Sequence, residues 1–195
     1  AEVAIDVLDL LDTERHGEVL ARAWDRWGGI DVLLLAHGVL PEQPAAELSV
    51  DLTLASFDSN ARSVLALLTD LATRFERQGG GVIGVISSPA AQRGRASNYV
   101  YGAAKAAVSN FCSGLRHRLF SKGVRVLTIL PGFVDTPMTA GFAKGPLWAT
   151  PEQVARDIER ALDSKNGTLY TPWFWRPIMA LVIHLPQALF LRSKL

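Results

Sequence analysis

Short apolar segments alternate with helical patterns along this chain, and that alternation constrains its fold more than any other feature. Residues 3–7, 30–36, 82–86, 124–130 and 168–171 are predicted as strands. The segments 30–36, 82–86 and 124–130 are nearly continuous apolar sequence, which is typical of strands buried on both faces. Strands that alternate with helices predict a parallel sheet covered by helices on both sides, a doubly wound α/β fold.

The segments between these strands carry apolar residues at helical spacing. A first helix is predicted to end at Gly28-Gly29, because glycine commonly follows the last turn of a helix. The long pattern over residues 50–77 predicts one bent helix or two. Further helices are predicted over residues 98–121 and 151–162.

Length and composition exclude several classes of protein. The 195 residues suit one domain, so we treat 1–195 as a single unit with an apolar tail over 172–195. With 49% apolar and 20% charged residues, the chain is expected to fold rather than stay disordered. A formal charge of +1 gives no electrostatic case for nucleic-acid binding. A single cysteine, Cys112, can form no internal disulfide, and the four histidines share no ligand-like spacing, so we expect a cytoplasmic protein without a metal site.

Hydroxyl and ammonium side chains follow the second of the apolar strands. The carboxyl ends of parallel strands meet at one edge of a sheet, where ligands bind in such folds. Ser88 lies just after that strand, and Tyr101 and Lys105 are four residues apart on the helix that follows. Residues four apart share a helix face, so the ammonium is expected to lower the pKa of the phenol from its ordinary value of about 10. A tyrosine tuned in this way can exchange a proton with a substrate oxygen, to which Ser88 can also hydrogen-bond.

Together with the segment Pro-Gly-Phe-Val-Asp-Thr after the next strand, these residues resemble the short-chain dehydrogenase/reductase family over nearly all 195 residues. The resemblance implies an NAD(P)-dependent oxidoreductase that reduces a carbonyl or oxidises a secondary alcohol. It implies Ser88, Tyr101 and Lys105 as the catalytic set, and Asn60 as the residue that holds a proton-relaying water. Residues implied in cofactor binding are Asp9, Leu10, Ala36, Gly38, Tyr101, Lys105, Pro131, Gly132, Val134 and Thr136.

Two features depart from the family's pattern. The family usually has Asn-Asn-Ala-Gly where this chain has Leu35-Ala36-His37-Gly38, and we interpret His37 as a variant of that loop rather than a catalytic acid. The family's glycine-rich turn, first helix and ribose-reading strand precede the region that matches Val3. We therefore expect the natural protein to begin roughly fifty residues earlier, the size of one strand–helix–strand unit. The choice between NAD and NADP belongs to that unit and is not readable.

A second function stays open beside the enzyme. Because the phosphate-binding turn is absent from the sequence, a catalytically silent binding or assembly module on the same fold is the alternative. A lyase or epimerase of the superfamily's extended branch also uses Tyr-x-x-x-Lys, but the Pro-Gly segment and the short substrate region count against it.

The apolar tail and one loop bear on substrate and partners. Residues 172–195 combine aromatic residues with Arg192 and Lys194, and they are interpreted as a membrane-interface element, a cover of the substrate pocket or a contact to a partner subunit. The tail loosely resembles that of the decaprenylphosphoryl ribose 2-keto-reductases, which act on lipid-linked sugars. The substrate is therefore expected to be a small-molecule or lipid-linked carbonyl or alcohol, and the resemblance implies a homodimer or homotetramer. Arg93 and Arg95 are interpreted as part of a solvated loop or as contacts to a substrate phosphate or carboxylate.

Overall fold

A four-stranded parallel sheet forms the centre of the computed structural model, which describes residues 2–193. Its strands are β1 (Val32–Leu35), β2 (Gly81–Ile86), β3 (Val124–Pro131) and β6 (Thr168–Thr171), in the order β1-β2-β3-β6. The short strands β4 (Phe133–Val134) and β5 (Trp148–Ala149) pair separately, also in parallel. The doubly wound α/β architecture that the alternation predicts is the one observed.

Helices connect these strands and cover the sheet. They are α1 (His16–Trp27), α2 (Gln43–Ala46), α3 (Val50–Phe57), α4 (Ser63–Gln78), α5 (Tyr99–Leu119), α6 (Pro151–Asp163), α7 (Trp175–His184) and α8 (Gln187–Phe190). The predicted long helix is bent, because a π-helical turn over Asp58–Arg62 joins α3 to α4. π-Helical turns inside α-helices are frequent at functional sites, and this one carries Asn60. Of the helices within residues 2–193, none combines the length and apolar character that crossing a membrane requires.

Apolar side chains fill the space on both sides of β2 and β3. On one side, α4 and α5 contribute buried residues such as Phe75, Leu71 and Val108 to a cluster that includes Ile83 of β2. On the other side, α6 packs a smaller cluster against Leu127 and Ile129 of β3. Burial on both faces explains why these two strands are apolar almost throughout.

Two sequence predictions for the amino-terminal part are wrong in this structure. Residues 3–7 form no strand. Among them, Asp6 forms an ion pair with Arg22 of α1 at 2.9 Å. Strand β1 is not buried on both faces: it lies at the sheet edge, with Val32 47% and Leu34 43% exposed. Within the described residues no strand borders β1 on its outer side. Alternate side chains of β1 therefore stay exposed, and residues 3–7 pair with no strand.

The central packing makes a direct stability prediction. Phe75 is fully buried beneath the sheet and its ring meets Trp24 edge-on at 5.2 Å, so Phe75→Ala should lower the free energy of unfolding by about 3–5 kcal/mol. Phe120→Ala is the matched control, because Phe120 is 84% exposed and the same change there should alter stability by about 0.5 kcal/mol or less. Urea unfolding of both variants checks this, and equal losses would contradict the packing described.

Candidate active site

The catalytic candidates come together where β2 ends and α5 begins. Ser88 follows β2 and caps a short 3₁₀ turn, accepting a hydrogen bond from the Ala90 amide at 3.1 Å. Helix α5 brings Tyr101 close to this loop because residue 102 is glycine. A Cβ atom at Gly102 would lie 2.9 Å from the Ala90 carbonyl oxygen, closer than such contacts allow. The sequence Tyr-Gly thus lets the phenol and the Ser88 hydroxyl share one site.

Burial, and not the neighbouring cation, dominates the titration of Tyr101. Desolvation raises the pKa of the phenol, and hydrogen bonding by Ser88 opposes this shift only in part. The prediction that Lys105 lowers the pKa of Tyr101 is therefore wrong for this structure. The reason is geometric: the Lys105 Nζ lies over the face of the aromatic ring, 5.8 Å from its centroid.

Lys105 does share the helix face with Tyr101, but its ammonium is buried. The residue is only 2% exposed, and its Nζ donates a hydrogen bond to the Ile86 carbonyl oxygen at 3.2 Å. Burial lowers the pKa of Lys105 to about 8, because the protein interior solvates the charged ammonium less well than water does. This ammonium therefore keeps donor capacity for a further ligand.

Asn60 is fully buried and fixes the loop after β1. Its Nδ2 donates to the carbonyl oxygens of Val39 at 2.8 Å and Ser56 at 3.0 Å, while its Oδ1 accepts from the Val39 amide at 3.0 Å. A Cβ atom at Gly38 would lie 2.8 Å from this Oδ1 and 3.1 Å from the Lys105 Nζ. Glycine at position 38 is thus required for the loop, Asn60 and Lys105 to meet.

Three of the residues implied in cofactor binding, Asp9, Leu10 and Gly38, line an open groove. The groove has a volume of about 340 Å³ and is lined by Asp9, Leu10, His37, Gly38 and their neighbours. One Asp9 oxygen accepts from the Leu11 amide at 2.9 Å. His37 is half-buried, and its Nε2 lies 3.0 Å from the Ser63 Oγ. Ala36 follows β1 directly, ahead of His37.

The cofactor-binding residues predicted after the third apolar strand lie at the carboxyl end of β3, beside β2. Pro131 ends the strand, and the Gly132 amide donates to the Thr171 carbonyl oxygen at 3.0 Å. Val134 lies in β4, and its carbonyl oxygen accepts from the Thr139 hydroxyl at 2.6 Å. The Thr136 amide is held by the same hydroxyl at 3.2 Å. The segment is therefore a fixed, hydrogen-bonded turn at the same sheet edge as Ser88.

Sequence reasoning missed several supporting side chains around this edge. The Ser87 hydroxyl donates to the Lys105 carbonyl oxygen at 3.0 Å, which ties the end of β2 to α5. Gln92 donates to the Tyr170 hydroxyl at 2.5 Å. The sequence shows two adjacent serines but does not tell which one belongs to the site. Side chains alternate about the end of a strand, so Ser87 turns toward α5 and Ser88 toward the site.

Arg93 is neither a solvated loop residue nor a free anion contact. Its guanidinium donates to the carbonyl oxygens of Val182, Ile183 and Leu185 at the end of α7, at 2.6, 3.1 and 2.7 Å. It also stacks over the Phe190 ring at 3.8 Å. The loop that carries Ser88 is thus fastened to the carboxyl-terminal segment. Part of the predicted tail, residues 194–195, lies outside the described residues.

The residues present fit the nicotinamide-bearing part of a dinucleotide. The Gly38 backbone lies close to the Lys105 ammonium, which within residues 2–193 donates to one acceptor, the Ile86 carbonyl oxygen. Across those same residues, no three His, Cys, Asp or Glu side chains gather in a way that could hold a metal ion. The Lys105 ammonium is a donor that suits the hydroxyl groups of an organic ligand.

Comparison with known proteins gives consistent matches. A family model described as short chain dehydrogenase matches residues 1–146. An uncharacterized oxidoreductase of Mycobacterium tuberculosis is 38% identical over 184 residues, which are 94% of this chain and 74% of that protein. Another from Streptomyces coelicolor is 33% identical over 193 residues, 98% of this chain and 76% of that protein.

The fold has a close counterpart among solved structures. A short chain dehydrogenase from Burkholderia cenocepacia, solved in complex with NADP, superposes with a TM-score of 0.83 at 24% identity. The match covers 99% of this chain and 81% of that one. It agrees with the Rossmann-like parallel sheet described above.

The buried ammonium predicts a pH-dependent stability difference. With the pKa of Lys105 lowered from 10.5 to about 8, its burial costs roughly 3 kcal/mol below pH 8, at about 1.4 kcal/mol per unit. Lys105→Met should therefore raise the free energy of unfolding at pH 7, and the gain should shrink as pH rises from 8 toward 10.5, where the folded wild-type lysine is neutral.

Urea unfolding at several pH values measures this difference. Lys165→Met is the control, because Lys165 is exposed and its replacement should give no such pH dependence. A gain for Lys105→Met that stays constant with pH would contradict the assignment.

Proposed function

The chain belongs to the short chain dehydrogenase family, and from this premise we propose that it is an NAD(P)-dependent oxidoreductase that interconverts a carbonyl group and a secondary alcohol. One observation carries the proposal: the Tyr101 phenol, the Ser88 hydroxyl and the buried Lys105 ammonium lie together at the carboxyl edge of the sheet. The NADP bound in the Burkholderia neighbour supports a nicotinamide dinucleotide as the cofactor.

Tyr101 is the proton donor in the direction of carbonyl reduction. Because burial raises its pKa, the phenol is neutral at pH 7 and ready to protonate a substrate oxygen. The Ser88 hydroxyl lies beside it and polarises the same oxygen. Lys105 lies one helical turn further on, where its ammonium would hold the cofactor next to Tyr101.

The cofactor supplies hydride chemistry at the substrate carbon when it is bound. On the chain's side, Tyr101 and Lys105 would hold its nicotinamide ribose, and Pro131, Gly132, Val134 and Thr136 would hold the nicotinamide ring. Asp9, Leu10, Ala36 and Gly38 would contact its adenosine half. Asn60 fixes the Val39 backbone beside Lys105, and in this proposal it also holds the proton-relaying water that the resemblance implies.

The carboxyl-terminal segment acts as a wall of the substrate pocket in this proposal. Arg93 and Gln92, both in the loop between Ser88 and Tyr101, hold α7 and β6 respectively, which favours pocket closure among the roles considered for the tail. Trp173 and Leu181 of this segment are exposed, so a contact of the segment with a membrane remains a prediction. Flotation with lipid vesicles would test it.

A homodimer or homotetramer also remains a prediction, which sedimentation analysis would test.

The proposal predicts a sharp difference between two neighbouring tyrosines. Tyr101→Phe removes the proton donor and should lower turnover by about 10²–10⁴-fold, while dinucleotide affinity should fall by no more than about tenfold, the worth of one neutral hydrogen bond. Tyr99→Phe is the matched control: it lies on the same helix, is largely exposed, and should keep wild-type turnover. The assay uses the complete gene product and follows reduced-cofactor consumption against ketones and lipid-linked keto sugars, after titration with NADH and NADPH. Unchanged turnover in Tyr101→Phe would reject the mechanism, and absence of dinucleotide binding would favour the silent module.

Loss of the Arg93 contacts should loosen the pocket wall. Arg93→Ala removes the charged donor shared by three carbonyl oxygens, so amide exchange over α7 and α8 should accelerate roughly tenfold or more. Arg118→Ala, which breaks only a surface pair with Glu76, should leave that exchange unchanged. Hydrogen–deuterium exchange measures both variants. Equal protection of α7 in Arg93→Ala and wild type would remove the basis for the wall.

A further inference from the structure

Buried polar atoms without a hydrogen-bond partner gather in the loop between Ser88 and Tyr101. Residues 2–193 contain five such side-chain atoms, and three of them belong to this loop. These three are Gln92 Oε1, Arg95 Nε and Asn98 Oδ1. Folded proteins leave few buried polar atoms unpaired, and each one calls for an explanation. Three of them in the loop that joins two proposed catalytic residues indicate that this loop meets a group from outside the chain.

A fourth atom of this kind lies beside the neighbouring strand end. It is the Nε1 of Trp175 on α7, a residue that is 6% exposed. The indole occupies the space that a side chain at position 132 would need, so it lies directly against Gly132 after β3. The loop with the other three atoms follows β2, the neighbour of β3 in the sheet. Four of the five unpaired atoms in the described part of the chain thus follow these two strands or contact the turn after them.

Arg95 differs from the other loop residues because its unpaired group carries a charge. Burial lowers the pKa of both Arg95 and Arg116, since a guanidinium loses hydration in the protein interior. Arg116 is compensated by hydrogen bonds to the Val126 carbonyl oxygen at 2.9 Å and the Thr128 hydroxyl at 2.8 Å. Arg95 is left without compensation: its Nε has no acceptor in residues 2–193, and no carboxylate there contributes to its pKa.

The outer end of the Arg95 guanidinium is open to a ligand. Its Nε is buried, but neither Nη atom is among the buried unpaired atoms of residues 2–193. The charge of a guanidinium is shared by its three nitrogens, so an anion at the Nη atoms would compensate the burial of Nε. The planar fork of N–H donors matches the paired oxygens of a phosphate or a carboxylate.

Backbone hydrogen bonds tie Arg95 to the helix that carries Tyr101. The Asn98 amide donates to the Arg95 carbonyl oxygen at 3.1 Å, and the Gly102 amide donates to the Asn98 carbonyl oxygen at 2.9 Å. Arg93 fastens the same loop to α7, as described above. Arg95 is therefore held between two fixed points and next to the first turn of α5.

We propose that Arg95 binds an anionic group of the substrate, a phosphate or a carboxylate, and selects acidic carbonyl compounds or alcohols over neutral ones. The inference rests on the proposed function, because it takes Ser88 and Tyr101 as the place of the reacting oxygen. Arg95 is a specificity-determining residue and takes no part in proton transfer. Arg93 cannot share this role, because its guanidinium already donates to carbonyl oxygens of the chain.

Matched substrates test the selection on the complete gene product with reduced cofactor. The pairs are dihydroxyacetone phosphate with dihydroxyacetone, and levulinate with its methyl ester. In wild type, kcat/KM should be at least tenfold higher for the charged member of one pair, and that pair identifies phosphate or carboxylate as the anion. Arg95→Gln should lower kcat/KM for the charged member roughly 10- to 100-fold, the usual worth of a hydrogen bond to a charged group. The value for the neutral member should change less than about twofold.

Two further variants separate the fork from its charge. Arg95→Lys keeps the charge without the planar fork and should retain part of the preference. Arg77→Gln is the matched control, because Arg77 is exposed on α4 and its replacement removes the same charge far from the loop. It should keep the wild-type preference. An equal preference in wild type and Arg95→Gln would overturn the inference.

Anion binding is also measured without turnover, with the dinucleotide at saturation. Inorganic phosphate or acetate should shift the ¹⁵N-arginine Nε–H signal of Arg95 saturably, and that signal is assigned by its loss in Arg95→Gln. Chloride at equal ionic strength should leave it unmoved. If none of the four compounds is turned over, this titration decides: no shift with either anion, or the same shift with chloride, rejects the role of Arg95.

The remaining outcomes separate this inference from the function on which it rests. If wild type turns over charged and neutral members equally well, the role of Arg95 is rejected and the oxidoreductase proposal stands. If wild type binds neither NADH nor NADPH, both are rejected. Because Arg95 Nε has no partner in residues 2–193, Arg95→Gln should unfold in urea as Arg77→Gln does. A clear loss of stability would make Arg95 a structural residue and overturn the inference.

Discussion

The buried ammonium of Lys105 is the constraint around which the carboxyl edge of the sheet is arranged. A charge removed from water is costly unless polar groups surround it. Here the Ile86 carbonyl oxygen at the end of β2 accepts a hydrogen bond from the Lys105 Nζ. The lowered pKa of Lys105 reflects this cost, which the rest of the fold must outweigh. Packing alone would favour an apolar side chain at this position, so the buried cation supports the role at the active site that we propose for Lys105.

Close backbone approaches bring the other groups to this cation. Gly102 allows α5 to contact the loop that carries Ser88, and Gly38 allows the loop after β1 to contact Asn60 and Lys105. The π-helical turn turns Asn60 inward, where its amide is bonded on both sides to the Val39 backbone. The close approaches depend on glycine at positions 38 and 102, and the position of Asn60 depends on the π-helical turn. These local features of the sequence therefore decide the geometry of the site.

The sequence predicted the architecture well and the titration of the site poorly. Strands β2 and β3, the helix of Tyr101 and Lys105, and the turn at Pro131 follow from apolar runs and glycine or proline positions, which are local signals. The burial of β1 and the conformation of residues 3–7 depend on which strand lies beside them in the sheet. The sequence of one segment does not contain that information. The role of Arg93 was equally hidden, because its partners are backbone carbonyls 89 to 92 positions further along the chain.

The titration of Tyr101 shows why spacing alone does not determine a pKa. Lys105 lies four residues beyond Tyr101 on α5, with its Nζ 5.8 Å from the centre of the aromatic ring. The burial of this part of the helix also desolvates the phenol. Desolvation disfavours phenolate, so the resting site holds a proton on the tyrosine and is prepared to donate it. Oxidation of an alcohol requires the opposite starting state, and reaching it demands either higher pH or a new charge beside the hydroxyl. The resting site therefore holds the proton on Tyr101, which is the starting state that the proposed reduction of a carbonyl requires.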